Sequence, residues 1–337
     1  HCSLVGSVMC IRDRHTVVRS KDRRYNRTPC VRPSAATRRF VTVPPDPRLA
    51  RTRAFTFWGL TVVLLGVLAA GMLLGAVSVS VRDLVHAFGV NLGISDDPER
   101  LTDSVVWAIR FPRVLSGALV GSALATTGAA LQGAFRNHMA DPHLVGLAPA
   151  AGLGAVAGIA VTPVGGSSLI MMAGAAAGGV VAALVMRRIA RQVVEGTQFL
   201  LVGLAAGLGI LAWLGAIVLA WDSPRVPTFN FWIFGGLTGA TWSNLAAAAP
   251  FVLVAVGSLL ALAGPLNLLA LGETEASHLG LNVNAFIRLV LVACGLGIGG
   301  AVGLGGVIGF VGLVVPLLVR RWLGPDHRWL LATSALG

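Results

Sequence analysis

Lysine is nearly missing from this chain of 337 residues: Lys21 is the single one. A phosphate-binding loop needs a lysine that reaches the β/γ-phosphates, and Lys21 lies in a polar tail. ATP hydrolysis is therefore excluded here, and any energy input must come from another polypeptide. Four cysteines, Cys2, Cys10, Cys30 and Cys294, show no paired or metal-type spacing. Cys294 falls inside an apolar run and reads as a small packing residue. Charge is missing from long stretches, among them 114–135, 144–186 and 289–319. Without an acid or base at that depth, a proton-coupled carrier loses its coupling groups. No Ser/His/Asp set is recognisable, so an embedded hydrolase is disfavoured. His138 and His143 flank Asp141, but their spacing does not place both imidazoles on one helix face. They read as loop-stabilising residues, and neither a metal nor a cofactor is expected. The glycines Gly295, Gly297 and Gly300 match a dinucleotide fingerprint as text. They lie in an apolar run with no preceding strand, so close helix packing is the better reading.

What is present is apolar. Hydrophobic residues make up 55 % of the chain and charged ones 12 %, with a mean hydropathy of +0.79 and 43 glycines. This composition predicts an all-α, polytopic membrane helix bundle in which glycines let helices approach closely. The net charge of +12 suggests nucleic acid until it is located. Residues 1–53 hold 13 of the 26 Lys+Arg and three of the 14 acids, a net +10, which leaves +2 for the rest. A basic tail beside a first span marks a cytoplasmic N-terminus, and no nucleic acid partner is expected. The chain divides into a basic tail, 1–54, and a transmembrane domain, 55–337. The chain opens with His, and no Met stands between Met9 and Met72. Residues 1–40 accordingly read as non-native or disordered, with a start expected near Val41 or Val43.

Apolar runs predict a first span over 55–77, an acidic outer segment over 78–110 and a second span over 114–135. Residues 144–186 hold two short spans with a turn near 162–168. A fifth span covers 196–221, an outer loop 222–244, and a sixth span 245–271. The polar segment 272–288 lies inside. Residues 289–319 are too long for one span and too short for two ideal ones, so two short or tilted helices broken near Gly303–Gly306 are expected. Arginines at 136, 187/188 and 320/321 fall on one side throughout, as the positive-inside rule requires.

Several segments carry more than topology. Residues 109–147 enter through Arg110 and Arg113 around Phe111-Pro112. They continue past Gly117, Gly121, Ala125 and Gly128, which form a smooth helix stripe. They leave through Gln132 and a polar knot that includes Arg136, Asn137, Asp141 and Pro142. Arg110 and Arg113 read by themselves as interfacial anchors. Residues Gly272, Glu273, Glu275, Ala276, Leu279, Gly280 and Leu281 form a short helix with acids at its start, or an ordinary solvated loop. Gly203 and Gly207 permit either hinge motion or close packing.

These segments, together with 268–281 and 305–331, resemble the permease subunits of iron-siderophore and vitamin B12 ABC importers (the FecCD type). The family has an Arg-x-Pro-Arg opening, a helix ending near Gln and an Arg-Asn-Pro-Leu-Ala-Asp-Pro-like knot. Here His138-Met139 replace Pro-Leu, and Pro316-Leu317 stands where family members usually have Pro-His. The resemblance covers about 55–337 and implies ten spans, of which about eight are present before the chain stops. It implies that Arg110 and Arg113 dock a periplasmic or lipoprotein solute-binding protein. It implies that 272–281 is a coupling helix seated in an ATP-binding cassette ATPase, and that Gly196, Thr197, Gly203 and Gly207 gate the route. It further implies a second permease subunit, and as cargo a ferric siderophore, with haem or cobalamin as alternatives. A secondary transporter is the less favoured class.

Overall fold

The computed structural model describes residues 47–75, 77–94, 101–162, 167–191, 196–221, 231 and 234–337. The basic tail up to residue 46, the turn residues 163–166 and residues 222–230, 232 and 233 of the loop expected over 222–244 lie outside the described residues. Every regular element among the described residues is helical.

Helix α1 (Pro47–Leu73) starts well before the expected residue 55, with Pro47 at its first position, where a missing N–H costs nothing. The segment expected as a plain outer loop forms α2 (Val81–Asn91) instead. The hydroxyl of Ser80 accepts from Asp83 N at 3.2 Å while Ser80 N donates to Asp83 Oδ2 at 3.0 Å. That reciprocal pair is a capping box. A continuous helical run then begins at α3 (Leu101–Ser104), widens into a π-helical turn (Val105–Arg110) and proceeds as α4 (Phe111–Ala134). Pro112 explains the wide turn, because its ring would clash with the carbonyl four residues back in a regular helix.

After the knot come α5 (Leu147–Val161), α6 (Ser168–Ala190) and α7 (Gly196–Ala220). The expected sixth span divides at Leu262 into α8 (Trp242–Ala261) and α9 (Ala263–Ala270). A short α10 (Glu273–His278) leads to α11 (Val283–Gly305), α12 (Val311–Leu323) and α13 (His327–Ser334). The break expected near 303–306 appears just after α11, but α11 is not short. Asn282 caps it by accepting from Ala285 N at 3.1 Å, which draws Asn284 and Arg288 out of the polar segment and into the helix.

Six of these helices are long and apolar enough to cross a membrane: α1, the run through α4, α6, α7, α8 and α11. Helices α5 and α12, of 15 and 13 residues, extend only about 20 Å, less than a hydrocarbon core of about 30 Å. Both start part-way through the bundle, beside the knot. Passage alternates between two ends, one marked by Arg110 and the other by Arg320.

Helices α4 and α11 are the most buried, and α1 is almost wholly exposed. The centre is held by backbone contact. A Cβ on Gly154 of α5 would sit 2.2 Å from the carbonyl oxygen of Gly174 in α6, and one on Gly179 of α6 would sit 2.6 Å from that of Gly295 in α11. A Cβ on Gly128 of α4 would lie 2.0 Å from Gly312 O of α12. Only part of the expected stripe works this way: Gly117 meets a Leu237 methyl at 3.3 Å and Gly121 meets nothing within 4 Å. The three glycines of the fingerprint-like run are all buried in α11. Gly295 faces α6, Gly297 faces Thr127 and Ala255, and Gly300 faces Val252.

Since α5 and α6 meet through backbone, Gly154→Leu is expected to force them apart at about 1–3 kcal/mol or more. In detergent it should lower the temperature at which the protein loses monodispersity, whereas Gly121→Ala should leave that temperature unchanged.

Candidate functional site

At the Arg110 end, aromatic rings fasten α2, the π turn and α8. Phe88 packs edge-on against Trp107 and Phe111, with centroids at 5.7 and 5.1 Å, and Trp107 lies 5.4 Å from Trp242. Trp242 Nε1 donates to Trp107 O at 2.9 Å. Beneath them, His86 Nδ1 lies 3.0 Å from a carboxylate oxygen of the fully buried Asp103.

The two arginines of the opening motif take different paths. Arg113 is exposed. Arg110 is buried, and its guanidinium donates to the carbonyls of Met72 (2.7 Å), Leu73 (3.0 Å) and Val77. Those groups belong to the end of α1 and the turn after it, where helical carbonyls lack intrahelical partners. A cation at a helix C-terminus also suits the helix dipole. Gly75 makes room, since a Cβ there would fall 2.7 Å from Arg110 Nη2.

At the Arg320 end the knot gathers residues far apart in sequence. Arg320 Nη2 donates to Gln132 Oε1 at 3.1 Å, and Gln132 Nε2 donates to Gly312 O at 3.3 Å. Arg320 Nη1 also donates to His138 Nδ1 at 2.5 Å. Burial first, and then the Arg320 charge, hold the His138 pKa below its ordinary value. Asp141 is buried and accepts from His143 N and Leu144 N at 2.8 and 3.3 Å. Burial pushes its carboxyl upward, against the N–H groups of His143, Leu144 and Leu313. Leu313 N belongs to the first turn of α12, so one carboxylate serves both the knot and a helix start. Asn137 Oδ1 accepts from Met139 N at 2.9 Å. Pro142 is buried with its Cδ against Gly312. Arg136 is exposed and takes a left-handed φ of 50° as the chain leaves α4.

Gly203 and Gly207 of α7 pack on this knot. A Cβ on Gly203 would meet Val145 Cα at 3.0 Å, and one on Gly207 would meet Gly146 Cα at 3.2 Å. Gly196 and Thr197 open α7, but their surroundings lie outside the described residues. The opposite flank of α7 is bare, with Leu201, Leu208, Trp213 and Leu219 exposed.

Helix α10 projects at the Arg320 end. Glu273 and Glu275 are exposed, Ala276 is buried against the bundle, and the turns Gly272 and Gly280 have φ of 133° and 90°. Of the two leucines, Leu279 is 62 % exposed, whereas Leu281 packs against the core. Nearby, Asn267 Oδ1 accepts from both His327 N (2.8 Å) and His327 Nδ1 (2.9 Å), and Asn267 Nδ2 donates to Asp326 Oδ1 at 2.7 Å. These bonds tie α9 to the start of α13.

The family model of the FecCD transport family matches residues 62–337. The chain belongs to the FecCD transport family. Over 290 residues this FecCD member is 38 % identical to the hemin transport system permease protein HmuU of Yersinia pestis, covering 83 % of this chain and 82 % of that one. It is 37 % identical over 235 residues to the cobalamin import system permease protein BtuC of Halobacterium salinarum, covering 69 % of this chain and 63 % of that protein. The match thus spans less than two thirds of the second relative. A solved inward-facing conformation of a metal-chelate type ABC transporter superposes with a TM-score of 0.67 at 26 % identity, over 83 % of this chain and 85 % of that one.

Removing Arg110 would orphan three carbonyls, a loss of about 2–4 kcal/mol. Arg110→Ala is therefore expected to lower the thermal stability of the detergent-solubilised protein clearly, and Arg113→Ala to leave it within error. A second expectation concerns acid. Burial first, then the Arg320 charge, lower the His327 pKa to about 4, with Asp326 opposing. His327 follows α12 on a turn, beyond the spanning helices. The unfolded chain takes up a proton near pH 6.5 and the folded one only near 4, so stability is full above 6.5 and falls as pH drops to 4. The loss is on the order of 3 kcal/mol at most. Melting curves from pH 7 to 4 should show a steeper decline for wild type than for His327→Gln.

Proposed function

We propose that this chain is the permease subunit of a binding-protein-dependent ABC importer, seated in the bacterial inner membrane with its N-terminus in the cytoplasm. The supporting observation is the pairing of family membership with two free features at opposite ends of the bundle: exposed Arg113 at one and projecting α10 at the other. The cargo class is a bulky metal chelate. A ferric siderophore is the favoured member, and haem or a corrinoid is the second reading because the relatives are named for hemin and cobalamin.

In this reading a loaded solute-binding protein docks through Arg113, whose charge sets orientation and encounter rate more than affinity. Arg110 contributes by holding the end of α1 against the start of α4, on whose first turn Arg113 is displayed. At the other end, α10 enters a cleft on an ATP-binding cassette ATPase, with Leu279 as its apolar tip and Glu273 and Glu275 at the rim. Closure of two ATPases on ATP moves α10 on each of two permease subunits, and the bundles exchange outward-open for inward-open states. The bare flank of α7 faces the route and the second subunit. No step of hydrolysis occurs on this chain.

ATPase activity in proteoliposomes tests the proposal, using the chain with its neighbouring ATPase and binding protein and a panel of ferric siderophores, haem and cobalamin. One loaded binding protein should stimulate hydrolysis and thereby name the cargo. Arg113→Glu should abolish stimulation but keep the basal rate. Leu279→Asp should uncouple the ATPase while the permease stays in the membrane. Normal stimulation of both variants, or failure to isolate any complex with an ATPase, would remove the importer assignment.

A further inference from the structure

The last turn of α6 and the first turns of α11 converge at the Arg320 end on a pocket of about 520 Å³, lined by Leu184, Arg187, Arg188, Arg191, Asn284 and Arg288. Four guanidinium groups thus share one small space. Asn284 Oδ1 accepts from Arg187 Nη2 at 3.0 Å and from Arg191 Nη2, and Asn284 O accepts from Arg288 Nε at 3.3 Å. One amide and one carbonyl therefore hold three arginines side by side. Glu273 acts favourably on Arg187 from α10. Among the described residues, no ion pair joins a carboxylate to any of the four. Like charges kept this close repel, so an anion placed among them would be favoured.

Depth decides which anion. Helices α6 and α11 each have 23 residues, about 35 Å, against a hydrocarbon core of about 30 Å. Residues at one end of both helices therefore stand at headgroup level. The pocket is not polar throughout. Leu184 lines its wall, and Leu289, next to Arg288, is exposed on α11. An apolar surface beside guanidinium groups suits a molecule with a phosphate at one end and acyl chains at the other. Arginine also offers planar, paired donors that match phosphate oxygens.

We propose that this pocket binds the phosphate headgroup of an anionic phospholipid, clamped between α6 and α11. Basic pockets between membrane helices on one face are suited to such headgroups. The site lies at the end of the bundle away from Arg113, and it does not rest on the importer reading.

Native mass spectrometry of the full chain, equilibrated with phosphatidylglycerol or phosphatidylcholine, tests it. Wild type should retain phosphatidylglycerol in preference to phosphatidylcholine. Arg188→Gln, Arg191→Gln and Arg288→Gln should each cut that preference about fivefold, the effect expected per arginine near a charged headgroup. Melting temperature in lipid-free detergent should match wild type for at least one variant, which keeps the comparison independent of folding. Inorganic phosphate separates the sources: it should fail to stabilise wild type at concentrations where phosphatidylglycerol does. The proposal is overturned by an equal preference in wild type and the single variants, or by stabilisation from phosphate alone. It is also overturned if the variants keep their lipid preference but lose a partner ATPase, since the arginines would then form a protein docking surface.

Discussion

Helices in lipid gain nothing by hiding apolar side chains from a solvent that is itself apolar, so their association depends on how closely backbones can approach. This chain meets that constraint with paired glycines: Gly154 on Gly174, Gly179 on Gly295, and Gly128 on Gly312. Each pair leaves no room for a Cβ on either side. Helices α5, α6 and α11 thereby pack main chain on main chain, as do α4 and α12, and Gly297 of α11 against the Thr127 methyl of α4 joins them in one block. Dispersion forces add up over such contacts. Such contacts also have few alternative arrangements, because no side chain is present to repack. The lightly packed helices are those without such pairs, α1 on one side and the free flank of α7 on the other.

The buried arginine, aspartate and glutamine groups then serve places where helices begin, end or cross. Arg110 satisfies the end of α1, Asp141 the start of α12, and Arg320 with Gln132 bridges α4 to α12. All three meet the same requirement, since backbone groups freed at a helix end cannot be solvated by lipid. The two short helices follow from it. Helices α5 and α12 can start below the surface because the knot supplies donors and acceptors at that depth. Leu147 N and Ala148 N both donate to Pro142 O, at 2.9 and 3.2 Å.

Much of this was legible in the sequence, and the limits have physical causes. Spans could be placed because charge-free length is itself the signal; α6, α7 and the break after α11 fall where apolar runs put them. The Ser80-x-x-Asp83 pattern that starts α2 was also there to read, but the acidic balance of 78–110 hid it. The inward turn of Arg110 was not legible: an arginine at a span's edge serves equally as a headgroup anchor, and only the approach of α1's end decides. Gln132 and Arg320 stand 188 residues apart, beyond any local spacing rule. The glycine stripe was half legible, since Gly121 and Gly128 look alike in sequence and differ only in which helix passes by. Residues 187 and 188 were read as a topology marker; their convergence with Arg191, Asn284 and Arg288 depends on α11 starting early.

The separation of packing from charge bears on how such a protein could move. A block sealed by glycine pairs resists internal shear, because sliding by one residue would set a Cβ or a side chain where a glycine now lies. Displacement is therefore cheapest at its margins. On α7, two glycines rest on the Val145–Gly146 backbone while Leu201, Leu208, Trp213 and Leu219 are exposed. On α10, only Ala276 is buried. These two elements share the Arg320 end, so a force applied to α10 is borne by the rigid block and not absorbed within it. Conversion of a push at one end into rearrangement along α7 requires that stiffness. The intramembrane glycines, which resemble weak points when read one by one, supply it together.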